Sequence, residues 1–215
     1  AALPLLAALR ELSGDAVTSF EYMSDAALAL VVETTPEQRL PLSAAHHVLV
    51  EMLGKDDEDV LERALSTAAE RGLLQDVVVA QSENQRRQLW RLRESIPPAE
   101  KRLGGSVKHD VSVPLAEVAA YIERARMAVL ARWPRVRLSV YGHVGDGNVH
   151  FNVLAPLDDG AEDFKRRHGD AVSDVLHSLA HAMRGSFSAE HGVGVLKRGL
   201  LERYGDPVAL AVMRQ

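Results

Sequence analysis

The sequence predicts an α+β fold in which an antiparallel sheet, built from two ferredoxin-like halves, carries helices packed on one face. Three observations lead to this class. Strand-type and helix-type patterns alternate in the order βαβ, then α, then βαββα, which is typical of such sheets. The 215 residues are 47% hydrophobic and 26% charged, as in globular domains. No apolar run approaches the roughly 18 residues of a membrane helix.

Five segments carry the apolar, β-branched composition of strands. They are residues 46–53, 76–82, 106–113, 135–142 and 149–156. The last two flank HVGDGN, in which Asp146 and Gly147 give the sequence signal of a type I′ hairpin turn. We therefore expect these two strands to be antiparallel neighbours.

Helix patterns fill the spaces between the strands. Asp56 and Asp57 are expected to cap a helix that ends near Arg71. The charged helix through WRLRES is expected to end before Pro97, because proline has no backbone N–H for the helix interior. Further helices are predicted at residues 1–10, from Pro114 to about 129, at 162–184 and from the cap Asp206 with Pro207 at the first helical position.

Charge and composition exclude several classes of protein. A net charge of −5 argues against a general nucleic-acid binder, which usually carries a basic surplus. The absence of cysteine excludes disulfides and thiolate metal sites, so any metal takes nitrogen and oxygen ligands. Both ends stop abruptly within helix patterns, and we expect no signal peptide. We expect a cytoplasmic fragment in which residues 1–215 form one domain.

The segment YGHVGDGNVHFNV contains the sharpest chemical pattern. His143 ends one predicted strand and His150 lies on the next, so a short hairpin brings the two imidazoles close enough to share one ion. Asn152 follows two residues later and faces the same side of the sheet as His150. From spacing alone, a glycine-rich hairpin with two ordinary histidines stays open.

A second segment, SAEHGVG, places Glu190 next to His191 among small residues. With His143 and His150, Glu190 completes a set of two histidines and one carboxylate, the ligand pattern of catalytic Zn²⁺, Mn²⁺ or Fe²⁺. His191 is then left unligated beside the ion, where a neutral imidazole suits a general base.

Two cations are candidates for binding an anionic substrate. Arg93 lies near the end of the helix WRLRE, and Lys108 lies within a predicted strand. A guanidinium can bind a carboxylate with two parallel hydrogen bonds, and a lysine facing a pocket adds a point charge. A solvated helix arginine and a strand-edge lysine are the alternative interpretation.

The motifs resemble a known family. GHVGDGNVH and SAEHGVGVLKRGLL, with LWRLRE and VKHDVSVP upstream, are similar to the C-terminal substrate domain of FAD-linked D-2-hydroxyacid dehydrogenases in the vanillyl-alcohol oxidase superfamily. That family includes D-lactate dehydrogenase, the glycolate oxidase large subunit and D-2-hydroxyglutarate dehydrogenase. The resemblance runs from SFEYMS onward, and motifs paired in this order are highly specific.

The resemblance implies a role for each candidate and a reaction. The metal ligands would be His143, His150 and Glu190, the catalytic base His191, and the substrate-binding residues Arg93, Lys108 and Asn152. The metal would assist deprotonation of a 2-hydroxyl while C2 delivers hydride to FAD, giving a 2-oxo acid. In the 2-hydroxyglutarate members a hydroxyl-bearing residue stands four positions after the arginine. Here it is Pro97, which counts against a dicarboxylate preference and favours lactate-like acids. The substrate therefore stays open between lactate-like and 2-hydroxyglutarate-like acids.

The resemblance also implies partners. FAD would be bound mainly by an N-terminal domain absent from this chain, so we expect the fragment alone to be inactive, and we assign no FAD-binding residues in it. Zn²⁺ is the first choice of metal, with Mn²⁺ or Fe²⁺ as alternatives. The electron acceptor is open between a quinone, a flavoprotein and oxygen. A homodimer, and attachment to a membrane through the acceptor, also stay open.

Two other functional classes use the same residues differently. A self-contained metal-dependent hydrolase would use the same three ligands with His191, need no flavin and cleave an ester or amide by itself. A ferredoxin-like binding module would hold the histidines incidentally and bind no stoichiometric metal. The abrupt ends favour the flavin enzyme over the hydrolase, and the two paired motifs favour it over the binding module.

Overall fold

The fold is taken from a computed structural model that describes residues 2–53 and 58–214. The expected helix cap at Asp56 and Asp57 lies outside the described residues. Within them, none of the helices combines the length and the apolar character needed to span a membrane.

The described residues form one six-stranded sheet in the order β2-β1-β5-β6-β3, with β4 also paired to β6. The strands are β1 (Val17–Ser24), β2 (His46–Met52), β3 (Ser106–Val107), β4 (Asp110–Ser112), β5 (Arg137–Gly142) and β6 (Asn148–Leu154). Each paired set of strands is antiparallel. The expected α+β class with an antiparallel sheet is therefore confirmed.

Helices join and cover the strands. They are α1 (Ala2–Ser13), α2 (Asp25–Thr34), α3 (Glu58–Glu70), α4 (Glu83–Glu94), α5 (Ile96–Arg102), α6 (Val118–Arg132), α7 (Ala161–Ala182), α8 (Arg198–Tyr204) and α9 (Pro207–Met213). Asp206 caps α9 as expected, because its carboxylate accepts the N–H groups of Val208 and Ala209. Ser24 caps α2 in the same way, through the N–H of Ala27.

The second half of the sheet is ferredoxin-like. Strands β4 and β5 both pair antiparallel with β6 and are therefore parallel to each other, with α6 as their connection. This is a split βαβ unit. In the first half, β1 and β2 are direct antiparallel neighbours, so the split arrangement is confined to the second half.

Helices cover both faces of the sheet rather than one. On the first face, strand side chains such as Phe20, Val140 and Phe151 pack in one core with α1, α3, α6 and α7. On the other face, Met23, Tyr141 and Leu154 pack with α2, α4 and α5. The strands expose apolar side chains in both directions, so each face needs a helical layer. The expected single covered face is corrected accordingly.

Two predicted strands differ from the structure. Residues 76–82 form no strand, and Val77 and Val78 are exposed. A strand-type composition gives a strand only where a neighbouring strand is available to pair with it. The predicted strand 106–113 is divided in two, since the His109 N–H donates to the Asn152 side chain instead of a backbone carbonyl.

The structure also differs from the sequence prediction around one proline, Pro97, and one glycine, Gly147. Helix α4 ends at Glu94 as expected, but Pro97 lies in the first turn of α5, where a missing N–H is tolerated. The expected type I′ turn is instead a 3₁₀ turn over Val144–Asp146 followed by Gly147 with φ +77°. A side chain at Gly147 would also collide with the Val113 carbonyl oxygen.

Replacing Gly147 by alanine is expected to lower the free energy of unfolding by more than about 1 kcal/mol, because the left-handed backbone and the Val113 carbonyl both oppose a Cβ. Gly169→Ala is the matched control. It lies inside α7 with open space around it, so it should raise stability by about 0.5–1 kcal/mol. Urea unfolding of both variants measures the difference, and equal effects would contradict the account of the turn.

Burial lowers the pKa of His109 to about 3. Its Nδ1 lies 2.9 Å from the Phe151 carbonyl oxygen and its Nε2 lies 3.0 Å from Ser173 Oγ. The unfolded chain takes up this proton near pH 6.5 and the folded chain does not, so stability falls as the pH drops from about 6.5 towards 3. At about pH 5 the loss from this one group is about 2 kcal/mol.

His109→Gln removes this titration and should make the fall in stability between about pH 7.5 and 5 shallower. The control is His181→Gln, which alters an exposed histidine and should leave the wild-type dependence intact. Urea unfolding at both pH values is the measurement. Parallel pH dependence in the wild type and His109→Gln would show that the buried imidazole is not responsible.

Candidate metal and substrate site

Three predicted ligands meet at the end of the β5–β6 hairpin. His143 follows β5, His150 lies on β6, and Glu190 comes from the irregular loop after α7. One ligand atom from each of the three residues lies within 4.8 Å of the others. Glu190 follows His150 by 40 positions in the sequence. The fold, rather than the local sequence, therefore brings the three predicted ligands together.

His143 lies between two carboxylates. Its Nδ1 is 2.5 Å from Glu21 Oε1, and its Nε2 is 3.2 Å from Glu190 Oε1. The hydrogen bond to Glu21 raises the pKa of His143, and the charges of both carboxylates add to it against the opposing effect of burial. Burial would raise the pKa of Glu21, but its contacts with His143 and Arg93 outweigh that effect and lower it.

His150 has a different environment. It packs against Tyr141 with ring centroids 5.0 Å apart, and the His143 and His191 rings are each 6.2 Å away. Its Nδ1 is 3.8 Å from Asp110 Oδ1. Burial lowers the pKa of His150 to about 4, so the ring is neutral near pH 7 and retains a lone pair for a metal.

Asp110 connects the loop to the sheet. Its Oδ2 accepts the backbone N–H groups of Glu190 at 3.0 Å and His191 at 2.9 Å. Its Oδ1 accepts the Asn148 amide at 2.7 Å. Burial would raise the pKa of Asp110, but these hydrogen bonds and the nearby His150 lower it. The carboxylate thereby fixes the backbone that carries both Glu190 and His191.

Arg93 reaches the same site from α4. It is 8% exposed, its Nε donates to Glu21 Oε2 at 2.9 Å, and its guanidinium carbon lies 4.6 Å from the centre of the Tyr141 ring. The alternative interpretation, a solvated helix arginine, is wrong. One carboxylate, that of Glu21, separates Arg93 from His143.

Asn152 and Lys108 have contrasting positions. Asn152 is buried, its amide nitrogen donates to Glu100 at 2.9 Å, and its oxygen accepts the His109 N–H at 3.0 Å. Lys108 is exposed in the link between β3 and β4, and no hydrogen bond or ion pair of its side chain is found within residues 2–53 and 58–214. It lines an open depression that is also bordered by Pro97, Lys101, Lys165 and Glu162.

Sequence analysis missed the two carboxylates that organise the site. Glu21 and Asp110 are only 2% and 4% exposed. Each is a charged residue inside a short apolar strand, in SFEYMS and in HDVSV, and such a residue needs a partner when it is buried. This signal was present, but the partners lie far away in sequence and could not be read from it.

The chain matches a described protein family and curated relatives. A sequence profile described as FAD linked oxidases, C-terminal domain, matches residues 3–215. The chain is 32% identical to the mitochondrial D-2-hydroxyglutarate dehydrogenase of Arabidopsis thaliana, over 93% of this chain and 35% of that protein. It is 33% identical to the D-2-hydroxyglutarate dehydrogenase of Xanthomonas citri pv. viticola, over 91% of this chain and 42% of that protein.

A third relative has a related name. The D-2-hydroxyglutarate–pyruvate transhydrogenase DLD3 of Saccharomyces cerevisiae is 30% identical, over 92% of this chain and 41% of that protein. The chain spans well under half the length of these three relatives. The resemblance drawn from GHVGDGNVH and SAEHGVG is confirmed by the family match. The chain therefore belongs to the C-terminal domain family of the FAD-linked oxidases.

Proposed function

We propose that residues 1–215 are the substrate- and metal-binding domain of a FAD-dependent enzyme that oxidises a D-2-hydroxy acid to the 2-oxo acid. The observation that carries the proposal is the convergence of His143, His150 and Glu190, with ligand atoms within 4.8 Å, beside the buried Arg93. The names of the relatives support the reaction class. FAD and the electron acceptor belong to the remainder of the enzyme.

The donor set suits a divalent metal. Two imidazoles and one carboxylate, with no thiolate, are ligands for Zn²⁺, Mn²⁺ or Fe²⁺. His150 is held neutral by burial, and Glu190 is partly exposed and can turn towards an ion. When bound, a divalent ion at these residues lowers the pKa of a coordinated substrate hydroxyl.

Arg93 is the proposed partner of the substrate carboxylate. A guanidinium has five N–H donors, and the contact with Glu21 uses Nε alone. Lys108 lies instead in a depression with Lys101, Lys165 and Glu162, and the described lining of that depression includes none of the metal-site residues. The proposed substrate role of Lys108 therefore rests on the family resemblance alone. Asn152 faces the same side of β6 as His150 and has its amide fixed by Glu100, so we assign it to the border of the substrate site.

His191 is the proposed base. Its Nδ1 lies 3.4 Å from Asp110 Oδ2, which leaves Nε2 to take the proton of the 2-hydroxyl. When bound by the remainder of the enzyme, a flavin would accept the hydride from C2. His191 would take the proton of the 2-hydroxyl, and the electron pair of the broken O–H bond would form the C=O bond, so that atoms and charges balance.

Metal content tests the ligand set. After loading with Zn²⁺ or Mn²⁺, the wild-type chain should retain about one equivalent by elemental mass spectrometry, and Glu190→Gln should bind at least about tenfold more weakly because an anionic ligand is lost. Glu202→Gln, an exposed carboxylate on α8, is the control and should match the wild type. Equal retention in Glu190→Gln would exclude Glu190 as a ligand.

Kinetics of the enzyme with its flavin-binding portion test the two substrate roles. His191→Asn should lower kcat by roughly 10²–10⁴-fold with little change in KM, as expected for a base. Arg93→Met should instead raise KM for D-lactate or D-2-hydroxyglutarate, since it removes a carboxylate partner. Arg126→Gln, which breaks an exposed ion pair with Glu123, is the control. The rate of reduction of an electron-accepting dye measures the activity of each variant. Hydrolysis of an ester by the isolated chain would instead favour the metal-dependent hydrolase.

A further inference from the structure

We propose that Glu21 is a positioning residue that sets the orientation of both His143 and Arg93. The proposal rests on the proposed function, in which the first residue binds a metal and the second binds a substrate carboxylate. Glu21 lies in the middle of β1 and is not among the sequence-based candidates. None of the proposed reaction steps assigns it a proton, a metal or a substrate atom.

The geometry gives each oxygen of Glu21 its own partner. Oε1 lies 2.5 Å from His143 Nδ1, and Oε2 accepts Arg93 Nε at 2.9 Å. Strand β1 pairs with β5 through Tyr22 and Gly142, which places Glu21 beside the end of β5, next to His143. One buried carboxylate therefore joins β1, the β5–β6 turn and α4.

The contact with His143 selects one form of the ring. Both ring nitrogens face a carboxylate, which only accepts hydrogen bonds. The 2.5 Å contact of Nδ1 with the buried Glu21 is shorter than the 3.2 Å contact of Nε2 with the half-exposed Glu190, so the neutral His143 ring is assigned its proton on Nδ1. The lone pair is then on Nε2, which is the nitrogen 3.2 Å from Glu190 Oε1. A carboxylate behind a metal-binding imidazole fixes both tautomer and orientation in this way.

The contact with Arg93 fixes the plane of the guanidinium. Glu21 holds Nε on one side, and the Tyr141 ring lies 4.6 Å from the guanidinium carbon. Two restraints leave the side chain little rotational freedom before a substrate arrives. Because both restrained residues share one carboxylate, a change at Glu21 should disturb the metal site and the anion site together.

A purely structural ion pair is the competing explanation. Burying an Arg–Glu pair adds little net stability by itself, since desolvation offsets the attraction. The two explanations differ in what they predict for His143. Only the positioning role requires that removal of the Glu21 charge change the tautomer of His143 while the fold stays intact.

The experiment compares Glu21→Gln with Glu51→Gln. Glu51 lies on the neighbouring strand β2 and pairs with Arg86 at 2.6 Å, so it is a matched carboxylate–arginine contact outside the site. Nitrogen-15 NMR of the ring, at a pH where it is neutral, reports the tautomer, and His143→Asn assigns the signal. Titration with Zn²⁺ reports affinity.

We expect His143 of the wild type and Glu51→Gln to be in the Nδ1–H form. In Glu21→Gln both tautomers should be populated, and Zn²⁺ affinity should fall by about 10–100-fold. If Glu21→Gln does not fold, Glu21→Asp serves instead, because a side chain one methylene shorter cannot span both partners. Unchanged tautomer and affinity in the folded variant would overturn the proposal.

Failure of the proposed function has a separate signature. If the wild-type chain binds no Zn²⁺ or Mn²⁺, the ligand set is wrong, and the tautomer measurement on the metal-free chain still decides whether Glu21 orients His143. A tautomer that changes in Glu21→Gln upholds the positioning role. A tautomer that does not change refutes it.

Discussion

The alternation of side chains along β6 is the constraint on which the core and the site both depend. Val149, Phe151 and Val153 are fully buried in the first core, while His150 and Asn152 face the opposite side. Because β6 pairs with β5 on one edge and with β3 and β4 on the other, its register cannot slip by one residue. Such a slip would move the histidine into the core and the phenylalanine into the site. The same packing that stabilises the sheet therefore positions the chemistry.

Buried carboxylates connect the remaining parts of the site to that strand. Glu21 binds His143 and Arg93, Asp110 binds the loop of Glu190, and Glu100 binds Asn152. Each carboxylate accepts hydrogen bonds from at least two N–H or O–H groups, with Ser106 as the second donor to Glu100, and these bonds offset the cost of removing the carboxylate from water. A polar layer of this kind is tolerated only when its members are satisfied, so its geometry is specified as tightly as that of the core.

The sequence predicted what is local and missed what is distant. His143 and His150 could be paired from sequence because seven residues and a turn determine their separation. Glu21 contacts Arg93, which lies 72 positions later in the sequence, and His143, which lies 122 positions later. No periodicity in the sequence encodes such a contact. Residues 76–82 show the reverse error, since a β-type composition indicates a strand only where a partner is available. Strand β1 and helices α2 and α5 had no predicted counterpart, whereas α4 on the same face was predicted.

One part of the site is packed on the sheet, and the other part lies on a loop that has few contacts with the rest of the fold. His150 and Arg93 are held by packing on the sheet, whereas the Glu190 and His191 side chains are 47% and 67% exposed on a loop that Asp110 holds by its backbone. A ligand that joins the two halves stabilises the folded arrangement by its binding free energy. An ion shared by the hairpin and Glu190 would add to the attachment that Asp110 makes. The affinity for such an ion and the order of this loop would therefore be linked, so a change that orders the loop would also raise the affinity.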